Sequence, residues 1–199
     1  MPAHKEPIAI RSLTELFSGG RFRRRNNVKI PEITDIDFVV YEVVTGFLLL
    51  IQHKWLVPPE TVDESSANDE HLAIGIRQAI DSRKYVIEHP EFLRQRLDLD
   101  DSAAISRIEA TVVCRGFEHT GFFDDKGIPM IMEVAFRELV QNSENLPTLW
   151  SKLALDQTGT QQQRKLSILS DQYILPNMSS LSRHLGGWNP DAESRLQII

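Results

Sequence analysis

Cysteine is almost missing from this chain, with Cys114 the only one. A lone thiol makes no internal disulfide and argues against a cysteine-based zinc site. Long apolar runs are missing too: Phe47–Ile51 is far too short to span a bilayer, and the first six residues, Met1-Pro2-Ala3-His4-Lys5-Glu6, have no apolar core of a secretory signal. The expected address is therefore the cytoplasm, with no membrane partner. No glycine-rich phosphate loop, Gly-x-Ser-x-Gly elbow, His-Glu-x-x-His helix or internal repeat occurs, which removes the commonest nucleotide-binding, serine-hydrolase and zinc-protease readings. Lys and Arg number 22 against 28 Asp and Glu, a formal charge of −6. Summed over the chain, that balance argues against a nucleic-acid partner, because phosphate contacts need Lys and Arg.

What is present is an ordinary globular composition, 41% hydrophobic and 25% charged, so the 199 residues suffice for one cored domain with a small appendage. The informative stretch is Asp35-Ile36-Asp37-Phe38-Val39-Val40-Tyr41, then Thr45-Gly46, then Phe47-Leu48-Leu49-Leu50-Ile51-Gln52-His53-Lys54-Trp55. Two runs of β-branched, aromatic and aliphatic residues around a Thr-Gly turn predict a β-hairpin. Strand side chains alternate, so Gln52 and Lys54 share one face and His53 takes the other, as a packing or hydrogen-bonding residue. Antiparallel pairing lays the start of the first strand beside the end of the second, which brings Asp37 to Gln52 and Lys54. A carboxylate and an amide oxygen are hard ligands for Mg²⁺, and a lysine beside them can orient water or offset charge on a phosphate. The same residues also fit plainer duties, Asp37 capping a turn and Gln-x-Lys forming a solvated strand end.

An acid opening a strand, a hairpin, and Gln-x-Lys closing the next strand ahead of a helix resembles the restriction-endonuclease-like, or PD-(D/E)XK, nuclease superfamily in its glutamine form. The likeness covers roughly residues 10 to 135. It implies a Mg²⁺- or Mn²⁺-dependent endonuclease acting on DNA, with Asp37, Gln52 and Lys54 catalytic. Asp37, Gln52 and the backbone carbonyl of His53 would hold the metal, and Gln78 on the following helix would match a further polar position. Asp35, Glu42 and, from the first helix, Glu15 are candidates to supplement the single certain carboxylate. Glutamine in place of an acid also keeps open a different class, a nuclease-like fold without turnover that binds DNA or assembles within a larger defence or repair complex.

Distribution of charge qualifies the negative total. Arg21, Arg23, Arg24, Arg25 and Lys29 form a basic block just before the hairpin, readable either as a DNA-backbone contact or as a solvated, partner-facing segment. Ile10–Phe17 predicts a helix stopped by Ser18-Gly19-Gly20, and Phe22–Ile30 a strand stopped by Pro31. After the hairpin a polar loop leads to a helix over about Glu70–Ile87, capped by Asn68 or Asp69, with Leu72, Ile76, Ala79, Ile80 and Ile87 on one stripe. Gln78 falls off that stripe, toward the catalytic edge or toward solvent. His89-Pro90 breaks the chain before a short helix over Glu91–Leu97. Strands are expected at Ile108–Cys114 and Pro129–Val134, with a loop between them whose Glu118 and His119 do not form a metal site, and a helix at Ala135–Val140.

These elements define an α/β fold, a central mixed β-sheet flanked by helices and restriction-endonuclease-like in order. The expected division is a nuclease domain over 1–155 and a small helical tail over 156–199. The tail carries no motif; its apolar residues Ile168, Leu169, Ile174 and Leu175 favour docking on the core, with a protein partner or a second copy as the other destination.

Overall fold

The structure, a computed structural model, describes residues 5–56, 58, 60–115 and 127–154. All of them lie in the first of two compact units, 1–158 and 159–199. The forecast tail and the Glu118 and His119 loop lie outside the described residues. In chain order the elements are α1 (Lys5–Leu16), β1 (Phe22–Ile30), β2 (Thr34–Glu42), β3 (Phe47–Trp55), α2 (Val62–Glu88), α3 (Glu91–Arg96), β4 (Arg107–Arg115), β5 (Met130–Met132) and α4 (Glu133–Gln141). A further helix, α5, begins at residue 146 and continues through 154. The fold is α/β: one five-stranded mixed sheet in the order β1-β2-β3-β4-β5, antiparallel from β1 to β3 and parallel from β3 to β5.

Each strand's composition matches its place. β3 is central and covered on both faces, so Phe47-Leu48-Leu49-Leu50-Ile51 is apolar without alternation and every one of these residues is buried. β1 is an edge, and its charged run Arg23-Arg24-Arg25 is exposed, the composition that discourages a second sheet from adding on. Leu48, Leu50, Tyr41 and Val112 form one core with Leu72, Ile76, Ala79 and Val86 of α2. Phe38, Val40, Phe47, Leu49 and Ile51 form a second core on the opposite face, with Ile10, Leu13 and Phe17 near α1, Phe136 of α4 and Leu149 of α5. Full burial of one such leucine is worth roughly 1.5–3 kcal/mol, so the two cores are the main source of stability.

The hairpin connection needs its glycine. Gly46 has φ +67°, and a Cβ there would fall 2.3 Å from the Ala104 carbonyl oxygen. The turn spans four residues rather than the Thr-Gly pair alone, closed by the Gly46 amide donating to the Glu42 carbonyl at 2.9 Å.

β1 occupies the forecast residues, while α2 departs from expectation. It begins at Val62, well before Glu70, because Thr61 and Glu64 make a capping box: the Thr61 hydroxyl accepts from the Glu64 amide at 3.2 Å and Glu64 Oε2 accepts from the Thr61 amide at 3.2 Å. The polar Asp63-Glu64-Ser65-Ser66 run hid this start, although acids in a first turn suit the helix dipole. Val86 rather than Ile87 completes the buried stripe. Glu133, expected within a strand, opens α4 instead. Thr61→Ala should destabilise the protein by about 1 kcal/mol and lower the melting temperature by about 2–4 °C; an unchanged thermal unfolding curve would show that the box does not hold α2.

Candidate functional site

The site lies where the hairpin comes apart. Pairing of β2 with β3 runs from Glu42↔Phe47 to Phe38↔Ile51 and stops there, while β3 stays paired with β4 through Trp55↔Arg115. β2 meanwhile stays with β1 to Thr34↔Ile30. The sheet therefore forks, with the starting end of β2 and the finishing end of β3 as its arms.

A break in alternation marks the fork. Ile36 packs in the α2-side core and Phe38 in the opposite one, although residues two apart on a regular strand share a face. The neighbouring edge strand is irregular at the facing position, where Asn27 has φ +50°, a left-handed conformation that asparagine tolerates better than most residues. Between these two irregularities sits Asp37. Its Oδ2 accepts a hydrogen bond from the His53 backbone amide at 2.7 Å, so a side chain holds the arms where the main-chain ladder has ended.

Gln52 reaches across the same gap. Its side chain is buried, at 2% exposure, and Nε2 donates to the Asp35 carbonyl at 2.6 Å. Lys54, on the same face as Gln52, sends Nζ to Gln78 Oε1 on α2 at 2.6 Å. The fork thus gathers Asp37, Gln52 and the His53 main chain, and the Lys54–Gln78 bond ties its β3 arm to α2. Asp35 contributes its carbonyl while the residue as a whole is exposed. Glu15 is not brought in: it is exposed on α1, whose buried residues pack on the sheet face opposite Lys54. Glu42 is buried at the other end of the hairpin and spends its carboxylate on Arg21, Thr45 and the Leu146 amide.

Among the described residues no three or more His, Cys, Asp or Glu side chains are grouped to hold a metal ion. The donors at the fork are of another kind, one carboxylate with neutral amide and carbonyl oxygens, a hard set that suits Mg²⁺ or Mn²⁺ together with substrate oxygens.

The His53 imidazole occupies the far face, as alternation requires. Its Nε2 lies 3.6 Å from Glu133 Oε2, beyond hydrogen-bond distance, and both atoms are buried without a hydrogen-bond partner among the described residues. Glu133 is ringed by Arg137 at 3.4 Å and Arg115 at 3.9 Å and accepts from the Ser12 hydroxyl at 3.0 Å. Burial lowers the His53 pKa; Glu133 opposes the shift, and Arg115 and Lys54 add to it. On the other face Cys114 is buried and its thiol is pushed up to about 12, against the pull of the Lys54 ammonium. Sequence inspection missed Glu133 because nothing local links the first turn of α4 to a strand end far back in the chain.

The basic block divides. Arg21 is bonded to Glu42 at 2.7 Å and to the Glu144 carbonyl at 2.6 Å. Arg23 and Arg24 bond the Gly20 and Phe17 carbonyls at 3.1 and 2.8 Å. Arg25 and Lys29 are exposed on the edge strand.

A scan against protein-family models, a search of curated proteins and a search of solved structures each gave no match.

His53 sets a pH signature. The folded protein keeps it neutral below the pH at which the unfolded chain, with a pKa of 6.5, takes up a proton. The stability linked to this group is complete above about pH 6.5 and is lost as pH falls toward the lowered native value. Melting temperature measured from about pH 7 to 5 should therefore fall more steeply for the wild type than for His53→Gln; equal slopes would refute this assignment.

Proposed function

We propose that this chain is a metal-dependent endonuclease of the restriction-endonuclease-like kind that hydrolyses phosphodiester bonds, with DNA as substrate. The observation that carries the reading is the Asp37–His53 bond at 2.7 Å, which places the acid at the Gln-x-Lys segment of the neighbouring strand. The hard oxygen donors there support Mg²⁺ or Mn²⁺ as cofactor, held by Asp37, Gln52 and the His53 carbonyl. Such an ion, when bound, polarises a phosphoryl oxygen and lowers the pKa of bound water.

The chain's own groups supply the rest. Asp37 brings the fixed negative charge that holds the cation. Gln52, anchored on the Asp35 carbonyl, keeps the two arms at one spacing. Lys54 has three N–H donors, one of them directed at Gln78, so its ammonium orients an attacking water and offsets charge growing on the phosphate. Arg25 and Lys29, exposed on β1, supply backbone contacts that weaken with salt. A bacterial defence or repair setting suits this chemistry, with target choice made by another element or a partner protein.

One observation favours the non-catalytic alternative, a DNA-binding or assembly module. The buried Gln52 amide serves as a cross-strand tie and adds no charge to the site.

Nicking of supercoiled plasmid with Mg²⁺ or Mn²⁺ decides between them. The wild type should cut, and Asp37→Ala and Lys54→Ala should each slow it by about 100-fold or more. Equal cutting by all three would remove these residues from the site. No cutting and no metal binding by the wild type would leave the module reading.

A further inference from the structure

α2 carries one glycine, Gly75, in its interior. Glycine is the worst helix former after proline, so a packing demand has to account for it. The structure supplies one. A Cβ built on Gly75 would lie 2.7 Å from Lys54 Cε, 3.1 Å from Cγ and 3.4 Å from Cδ. The lysine stem therefore lies flat against the helix main chain, in a notch that exists only because residue 75 has no side chain. One turn further along α2, Gln78 Oε1 receives Nζ at 2.6 Å.

We propose that Gly75 is a positioning residue for Lys54. The notch fixes the course of the stem, Gln78 fixes its end, and the ammonium is thereby held at one place beside the fork. A lysine on four rotatable bonds otherwise samples many positions, and a charge that must meet one phosphate oxygen loses effect once it is displaced. The catalytic consequence rests on the nuclease reading; the placement of Lys54 does not.

The direction of failure is unusual. The atoms a new methyl would meet belong to a flexible side chain, not to backbone, so Gly75→Ala displaces Lys54 while the helix gains a better helix former. The variant should fold and melt at or above the wild-type temperature.

The test compares full-length wild type, Gly75→Ala, Gln78→Ala and, as a helix-propensity control on the exposed side of α2, Ala73→Gly. Lys54 labelling by reductive methylation, followed by mass spectrometry, should run severalfold faster in Gly75→Ala and Gln78→Ala than in wild type and Ala73→Gly. Plasmid nicking by Gly75→Ala should lose roughly tenfold to a hundredfold in kcat with little change in KM. Unchanged Lys54 labelling in Gly75→Ala overturns the proposal, while faster labelling with full nicking activity upholds the placement and overturns its catalytic consequence. Faster labelling in a protein whose wild type never nicks DNA upholds the positioning and overturns the nuclease reading alone.

Discussion

A single hydrogen bond, from the His53 amide to the carboxylate of Asp37 at 2.7 Å, sits where the antiparallel ladder of the hairpin stops and the two strands part. Such a bond to a charged acceptor is worth about 1.5–3 kcal/mol, comparable with burying one leucine. Its larger effect is geometric. The main chain of β2 no longer satisfies β3 beyond Ile51, and the Asp37 carboxylate both satisfies the His53 amide and brings a negative charge. The Gln52 tie to Asp35 repeats the arrangement in the other direction. Polar side chains thus replace ladder hydrogen bonds where β2 and β3 part, which concentrates chemically useful groups there.

His53 joins the two faces of the sheet. Its amide faces the fork, and its imidazole is buried beside Glu133 and within the influence of Arg115. Packing on the α1–α4 side therefore helps set where the residue sits, and with it the acceptor position of Asp37. α2 performs the matching task for Lys54 on the opposite face. Each helical layer supports one side of the site, so the forked sheet needs both in order to hold it.

Much of this architecture was legible in the sequence because it is encoded locally. The strand pattern at Phe22–Ile30, the apolar run into Gln52-His53-Lys54 and the Gly46 turn each carry their own signal, and alternation alone put His53 across the sheet from Lys54. Contacts between distant segments were not legible. Glu133 reaches His53 only because β4, β5 and α4 return to that strand end, and Gly75 reads as a flaw in a helix until the Lys54 stem is laid over it. The start of α2 was missed for a smaller reason: Thr61-x-x-Glu64 is a helix-opening signature set in a polar run with no apolar stripe to announce it. Arg21 and Arg24 invite a phosphate reading in the sequence, and their bonds to Glu42 and to the Phe17 carbonyl are contacts that no local pattern announces.

Mn²⁺ tests directly whether the fork grips a divalent cation, because it broadens amide resonances close to it. In a titration of the full-length protein followed by NMR, the amides of Asp37, Gln52 and His53 should broaden first, and Asp37→Asn should abolish the effect at equal Mn²⁺. Broadening centred elsewhere, for instance at the acidic Asp98-Leu99-Asp100-Asp101 segment, or none above that of the Asp37→Asn protein, would contradict it.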